Sequence, residues 1–343
     1  MNRRLVLEIL AFVVVVALVV IFMVRREGAP GRYDDHRLMM GTVVGVTVFG
    51  LNERAADDAM EAAFEEVLRV EELASRYIET SRIALWNERD EAAGEVGPEI
   101  ASVVARALII ADMSGGAFDP TIAPVVDLWE FEPGAVVPDE DAIRSALARV
   151  DYAFVDVRTN EGLVIAPDDM DLDLDGIVKG YAVDCAIAVL RERGIEAAIV
   201  DAGGDVGFLG NPPNGPDWRV GVKHPRSDGL LGVIAVDGGS VATSGDYQRY
   251  VDVDGVRYHH LLDPATGYPA RGLASATVWA RSALEADALA TAVFVLGPDD
   301  GLALAGRLEN VEALVVTEDG AVRGTRGAEE RFGESEGSER HAP

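Results

Sequence analysis

Strand-like and helix-like segments share this chain without strict strand-helix-strand alternation, and that mixture is what most constrains its fold. Val43 to Phe49, rich in β-branched residues, reads as a first strand. Arg54 to about Tyr77 is an amphipathic helix, with Met60, Phe64, Val67 and Leu68 at helical spacing and Asp57, Asp58, Glu61 and Glu65 mostly on other faces. Ile100 to Met113 reads as a second helix, ended by Gly115-Gly116. Two short apolar runs between Val150 and Ile165, around Thr159-Asn160-Glu161-Gly162, predict a hairpin. A Gly176 turn leads into a helix from about Gly180 to Arg193, and Ala197 to Val200 is a buried strand entering the sharp turn Asp201-Ala202-Gly203-Gly204-Asp205. Strand-like runs follow at Trp218 to Val222, Gly232 to Val236, Tyr247 to Val253, Arg257 to Leu262 and Ala274 to Ala280. A last helix, Leu284 to Leu296, stops at Gly297-Pro298 before a short αβ unit that reaches Val316. The pattern favours α+β, and length alone allows one large domain or two.

At 343 residues the chain can bury a large core, and its net charge of -29 argues against non-specific nucleic-acid binding. Leu5 to Val24 carries one charge, Glu8, between Arg3-Arg4 and Arg25-Arg26. A helix of that length matches a hydrocarbon thickness of roughly 30 Å. With no small-x-small cleavage site and no lipidation cysteine after it, residues 1–27 read as an uncleaved signal anchor, with a cleaved signal peptide as the alternative. Residues 28–37 read as a polar linker, and the Glu-, Gly- and Ser-rich residues 327–343 as a disordered acidic tail. The single Cys185 excludes an intramolecular disulfide.

Chemistry-bearing residues recur in polar, glycine-rich segments. Asp287 and Thr291 lie four apart, so one helix face carries a carboxylate and a hydroxyl that suit a hard cation such as Mg2+; the bland alternative is a helix cap and a packed threonine. Tyr77 and Phe118 offer surfaces to flat rings or simply belong to the core, Lys179 offers a cation to phosphate, and Asp119 before Pro120 is a common turn former. His260 has the ordinary titration range of a general base, with His259 on the opposite strand face. No GxGxxG, Walker A, HExxH or GxSxG pattern is present.

Seven segments occur in order: Met40-Gly41-Thr42, Ser75-Arg76-Tyr77, Gly116-Ala117-Phe118-Asp119-Pro120-Thr121, Gly176-x-x-Lys179-Gly180-Tyr181, Gly203-Gly204-Asp205, Thr243-Ser244-Gly245-Asp246-Tyr247, and His260-Leu261-Leu262-Asp263-Pro264-x-Thr266-Gly267-Tyr268-Pro269. From about Met40 to Val316 the chain thereby resembles the ApbE family of FAD:protein FMN transferases. The resemblance implies a single large T-fold-like α+β domain of the ApbE type over residues 38–326, with mixed or antiparallel sheets flanked by helices. It implies Mg2+-dependent cleavage of the FAD pyrophosphate, with FMN passed as a phosphoester to a Thr or Ser of a target protein and AMP released. By the same resemblance, Asp287, Thr291 and the Gly176 carbonyl hold the metal, while Met40, Tyr77, Ala117, Phe118, Asp119, Asp173, Lys179 and Leu262 surround FAD. His260 is the expected base, with Asp263 or Asp246 to substitute for it or orient it. Expected partners are flavin-accepting redox proteins, such as subunits of electron-transfer complexes, and the membrane, with the catalytic domain on the periplasmic side of the inner membrane. An FAD pyrophosphatase using the same metal site remains open. A non-catalytic FAD-binding protein is a third reading, disfavoured by the presence of both Asp287 and Thr291.

Overall fold

A computed structural model describes residues 31–334. At its centre is an eight-stranded sheet in the order Arg32–Met39, Thr42–Phe49, Ala198–Ala202, Val206–Leu209, Ser240–Gly245, Leu273–Ala280, Glu312–Thr317 and Val322–Gly324. Every neighbouring pair is antiparallel. The sequence reading missed four of these strands, Arg32–Met39, Val206–Leu209, Ser240–Gly245 and Val322–Gly324.

Both faces of the sheet are covered. Helices Glu53–Ala74, Pro98–Ser114, Asp175–Glu192 and Ala283–Ala305 form the main core with it, where Phe64, Ile110, Leu190 and Phe294 are fully buried. Against the other face lies a three-stranded sheet of Phe332–Glu334, Leu230–Val236 and Trp218–Lys223. Its Trp218 and Ile234 pack with Phe208, Val241 and Leu314 of the central sheet. Leu273–Ala280 is therefore apolar along most of its length rather than alternating. A third cluster joins Val125, Trp129 and Ile143 to Leu262, pinned by Trp129 Nε1 donating to the Gly267 carbonyl at 2.9 Å. The expected hairpin forms between Asp156–Arg158 and Leu163–Ile165, with Ala93–Glu95 added alongside.

Three expectations change. The linker ends before Arg32, because Arg32–Met39 pairs residue for residue with Thr42–Phe49 as an outer strand whose exposure alternates along its length. The helix expected from Gly180 begins at Asp175, which puts Gly176 in its first turn. The last helix does stop at Gly297-Pro298 as expected: Gly297 leaves helical geometry at φ 79°, and Pro298 opens the short second helix that runs to Ala305 before the strand Glu312–Thr317. Beyond Gly327 the chain is still structured, with Arg326–Arg331 helical and Phe332–Glu334 paired to Leu230–Val236. Among the described residues, Ala283–Ala305 is the one helix long and apolar enough to cross a membrane, and it is packed in the core. The expected N-terminal anchor lies outside the described residues.

Candidate active site

The helix Ala283–Ala305 is fixed at its start with unusual completeness. Its first two amides, Ala283 N–H and Leu284 N–H, donate to the Asp184 carboxylate at 2.8 and 3.0 Å. The next two donate to the Ser282 hydroxyl, from Glu285 at 3.2 Å, and to the Ser282 carbonyl, from Ala286 at 3.1 Å. Three amides that a helix start leaves without partners are thus satisfied by side chains, and the Ala286 bond is the first regular one of the helix. One turn further, Asp287 is 4% exposed and Thr291 follows on the same face.

Asp287 Oδ2 accepts the Gly180 backbone N–H at 3.0 Å, and its Oδ1 lies 3.4 Å from Lys179 Nζ. Lys179 is also hydrogen-bonded to the buried Asp205. Burial first, then Asp205, push the Asp287 carboxyl up to about 7 in spite of Lys179. Two buried carboxylates sharing one ammonium leave the cluster short of positive charge. Thr291 Oγ1 lies 3.3 Å from Ser244 Oγ, and a Cβ placed on Gly176 would sit 3.6 Å from Thr291 Oγ1 and 3.1 Å from the Phe118 ring. Asp287, Thr291 and Gly176 therefore converge. In a regular helix the Gly180 N–H points at the Gly176 carbonyl; here Asp287 competes for that proton, leaving the carbonyl with accepting capacity. One carboxylate, one hydroxyl and one carbonyl are hard oxygen donors, and they fit a divalent ion such as Mg2+ that takes its remaining ligands from water and phosphate.

This cluster lies in a cleft of about 1330 Å³. Met40, Tyr77, Ala117, Phe118, Asp119 and Asp173 all line it, as do Lys179, His260 and Leu262. Met40 sits in the two-residue turn between the first two strands at φ 51°. Tyr77 is 63% exposed, whereas Phe118 is 5% exposed and packs beside Gly176. Asp173 Oδ1 accepts the Asp175 N–H at 2.8 Å, and Asp173 Oδ2 lies 3.3 Å from Arg76 Nη1. Arg76 bridges to Asp127 at 2.7 Å and lies over the Tyr77 ring. The oxygens of Asp119 are engaged: Oδ1 accepts the amide and hydroxyl of Thr121 at 2.8 and 2.6 Å, and Oδ2 accepts the Tyr152 N–H at 3.1 Å. Its visible work is to hold the loop that presents Phe118.

His260 Nδ1 lies 3.3 Å from the Arg249 carbonyl oxygen, which can only accept, so Nδ1 carries the proton and Nε2 keeps its lone pair. Burial, then Arg249, push His260 down to about 4, leaving it neutral near pH 7. His259 faces the other way: its Nε2–H donates to the Ala270 carbonyl at 3.0 Å and its ring meets Phe294 edge-on. Asp246 and Asp263 are not brought to His260. Asp246 is held by both arms of Arg226 at 2.6 and 2.7 Å, and Asp263 accepts the Ala265 N–H at 2.9 Å and the Thr266 hydroxyl at 3.1 Å. Each is consumed by a local structural bond, and the Arg249 carbonyl orients His260 instead. Sequence reasoning assigned no role to Arg76, Asp205, Ser244 or Arg249. The first three stand in quoted segments, whereas Arg249 carries no local signal.

The ApbE family model matches residues 40–315. The FAD:protein FMN transferase of Treponema pallidum (strain Nichols) is 34% identical over 319 residues, covering 87% of this chain and 88% of that protein. The FAD:protein FMN transferase of Vibrio cholerae serotype O1 is 32% identical over 294 residues, covering 82% and 86%. Among solved structures, the ApbE protein of Thermotoga maritima superposes with a TM-score of 0.82 at 35% identity, covering 89% of this chain and 100% of that one. The apo flavinyl transferase ApbE of Pseudomonas stutzeri superposes at 0.78 with 30% identity, covering 89% and 98%. An α+β domain built on one antiparallel sheet, with Asp287, Thr291 and Gly176 drawn together beside an aromatic-lined cleft, thus coincides with a family match over nearly all the described residues: the chain belongs to the ApbE family.

Proposed function

We propose that this chain is a Mg2+-dependent FAD:protein FMN transferase. The observation that carries the reading is the convergence of the Asp287 carboxylate, the Thr291 hydroxyl and Gly176 in the cleft that His260 also lines. Held by these donors, Mg2+ would supply the charge neutralisation that a diphosphate needs as its bridge breaks. Lys179, held between Asp205 and Asp287, adds a fixed positive charge to the same end of the cleft. Met40, Tyr77 and Phe118 offer apolar and aromatic surface to the flavin ring.

His260 Nε2 accepts the proton of the acceptor hydroxyl as that oxygen attacks the FMN-side phosphorus. The new bond is a phosphoester between FMN and the Thr or Ser oxygen. The bond that breaks joins this phosphorus to the bridging oxygen, and its electron pair leaves with AMP. Because burial keeps the imidazole neutral, it is available as an acceptor at neutral pH. The apolar run from Leu5 to Val24 supports a membrane-anchored enzyme, placed at the inner membrane and acting on extracytoplasmic redox proteins.

The test incubates the full chain in detergent with FAD, Mg2+ and a flavin-accepting redox domain bearing a threonine, and reads acceptor mass and AMP. An acceptor heavier by one FMN less water, matched by AMP, is the expected outcome. Equal FMN and AMP with an unmodified acceptor would make the chain a hydrolase.

A further inference from the structure

A volume of about 1330 Å³ exceeds the roughly 300–1,000 Å³ of a typical small-ligand pocket, so the cleft has room for more than one reactant. One wall of it is formed by the strand Trp218–Lys223, whose Arg219, Val220, Gly221 and Lys223 all line the cleft. That strand is the outer member of its three-stranded sheet, paired with Leu230–Val236 on one side only. An outer strand presents a row of backbone donors and acceptors ready to pair with an extended chain. Arg219 and Lys223 are both exposed, share one strand face with Gly221, and make no ion pair among the described residues. In a protein of net charge -29, two unpaired cations beside the candidate active site form a local patch suited to acidic side chains. The patch is also continuous with the metal donors. Lys223 lies over the Tyr247 ring, Tyr247 packs against Gly245 at the end of the strand that carries Ser244, and the Ser244 hydroxyl touches Thr291.

We propose that the free edge of Trp218–Lys223 receives the hydroxyl-bearing segment of the acceptor protein as an added strand, with acidic side chains of that segment engaging Arg219 and Lys223. This inference rests on the transferase reading. Backbone pairing fixes the direction and register of the segment, and the two cations select which segment enters. The hydroxyl is then delivered along the Tyr247–Ser244 side of the cleft.

The test uses two synthetic ten-residue peptides, each with one threonine, flanked in one by aspartates and in the other by lysines. Full chain, FAD and Mg2+ are supplied, and peptide mass and AMP are read together. The aspartate peptide should be flavinylated with the lower KM. The variant R219E/K223E should raise that KM about tenfold while FAD affinity holds, the size expected for two partly exposed charge contacts reversed together. Aspartate peptides N-methylated at alternate amides, in each of the two registers, should fail in one register, an outcome that does not depend on any protein variant folding. No peptide preference or an unchanged KM in R219E/K223E would each overturn the docking edge while leaving the nucleotide site standing, whereas AMP release with neither peptide labelled would point to the hydrolase and sink the transferase reading on which the edge rests. A loss of FAD affinity in R219E/K223E would overturn it by assigning the two cations to the nucleotide. No AMP release at all would instead sink the transferase reading.

Discussion

The backbone N–H of Gly180 donates to the Asp287 carboxylate at 3.0 Å, across the contact where helix Asp175–Glu192 meets the start of helix Ala283–Ala305. The approach is close enough that any Cβ on Gly180 would collide with the Ala283 carbonyl. Two helices distant in sequence thus meet backbone to backbone, and the meeting aims Asp287 into the cleft.

Gly180→Ala therefore should force the two helices apart. Overpacking a tight contact costs about 1–3 kcal/mol. We expect a fall of that size in unfolding free energy by denaturant titration, together with a loss of AMP formation larger than the stability change explains, because Asp287 moves with its helix. Unchanged stability would mean that the contact is looser than the structure shows.

The second outcome concerns His260. With its pKa pushed down to about 4 by burial and Arg249, the base is deprotonated above that value, so transfer should fall only as pH drops toward about 4 and should be flat from 6 to 8 on this limb. His260→Ala should retain FAD, measured by flavin fluorescence, and slow transfer about 10²-fold or more. A limb near 6.5 would contradict the half-buried, neutral imidazole, and an unchanged rate would remove His260 from the mechanism.

His259, 2% exposed, sets a stability limb rather than an activity limb. Burial pushes it down from 6.5 to about 4, so the unfolded chain binds its proton first. Its stabilising contribution is present above pH 6.5 and is lost as pH falls through 4, by up to about 3 kcal/mol. Asp184, pushed up to about 6 chiefly by burial, has the opposite slope, losing stability as pH rises through 6. The difference between the parent chain and His259→Gln isolates the histidine: the variant's unfolding free energy should vary less between pH 7 and 4.5.

Met40 is a non-glycine residue at φ 51°, followed by Gly41 at φ 68°, in a two-residue hairpin turn where Asn-Gly is the favoured pair. Holding methionine there costs about 1 kcal/mol. We expect Met40→Asn to raise the melting temperature and, by removing an apolar side chain from the cleft, to weaken FAD binding several-fold. A stabler variant with unchanged FAD affinity would detach Met40 from the flavin.

The long helices and several strands were legible because their apolar pattern is strong, as in the helical periodicity of Glu53–Ala74 and the continuous apolar run of Leu273–Ala280, whereas the short inner strands Val206–Leu209 and Ser240–Gly245 were not. Arg32–Met39 was not: half its face is solvated, its residues are mostly polar or charged, and only pairing with Thr42–Phe49 makes it a strand. Phe332–Glu334 likewise depends on a partner strand nearly a hundred residues earlier. Of the candidate site, the residue types and their order along the chain were readable. The pairing of Lys179 with Asp205 and the use of Asp246 to hold Arg226 were not, since each depends on tertiary neighbours that no local pattern encodes.

The most direct test of the account compares the full chain with its Asp287→Ala/Thr291→Ala variant, reading AMP release and acceptor mass across a Mg2+ titration with FAD saturating. The parent should show metal-dependent transfer that disappears with a chelator, and the folded variant should stay inactive at metal concentrations that saturate the parent. Equal turnover by the two proteins, or transfer undiminished by the chelator, would contradict it.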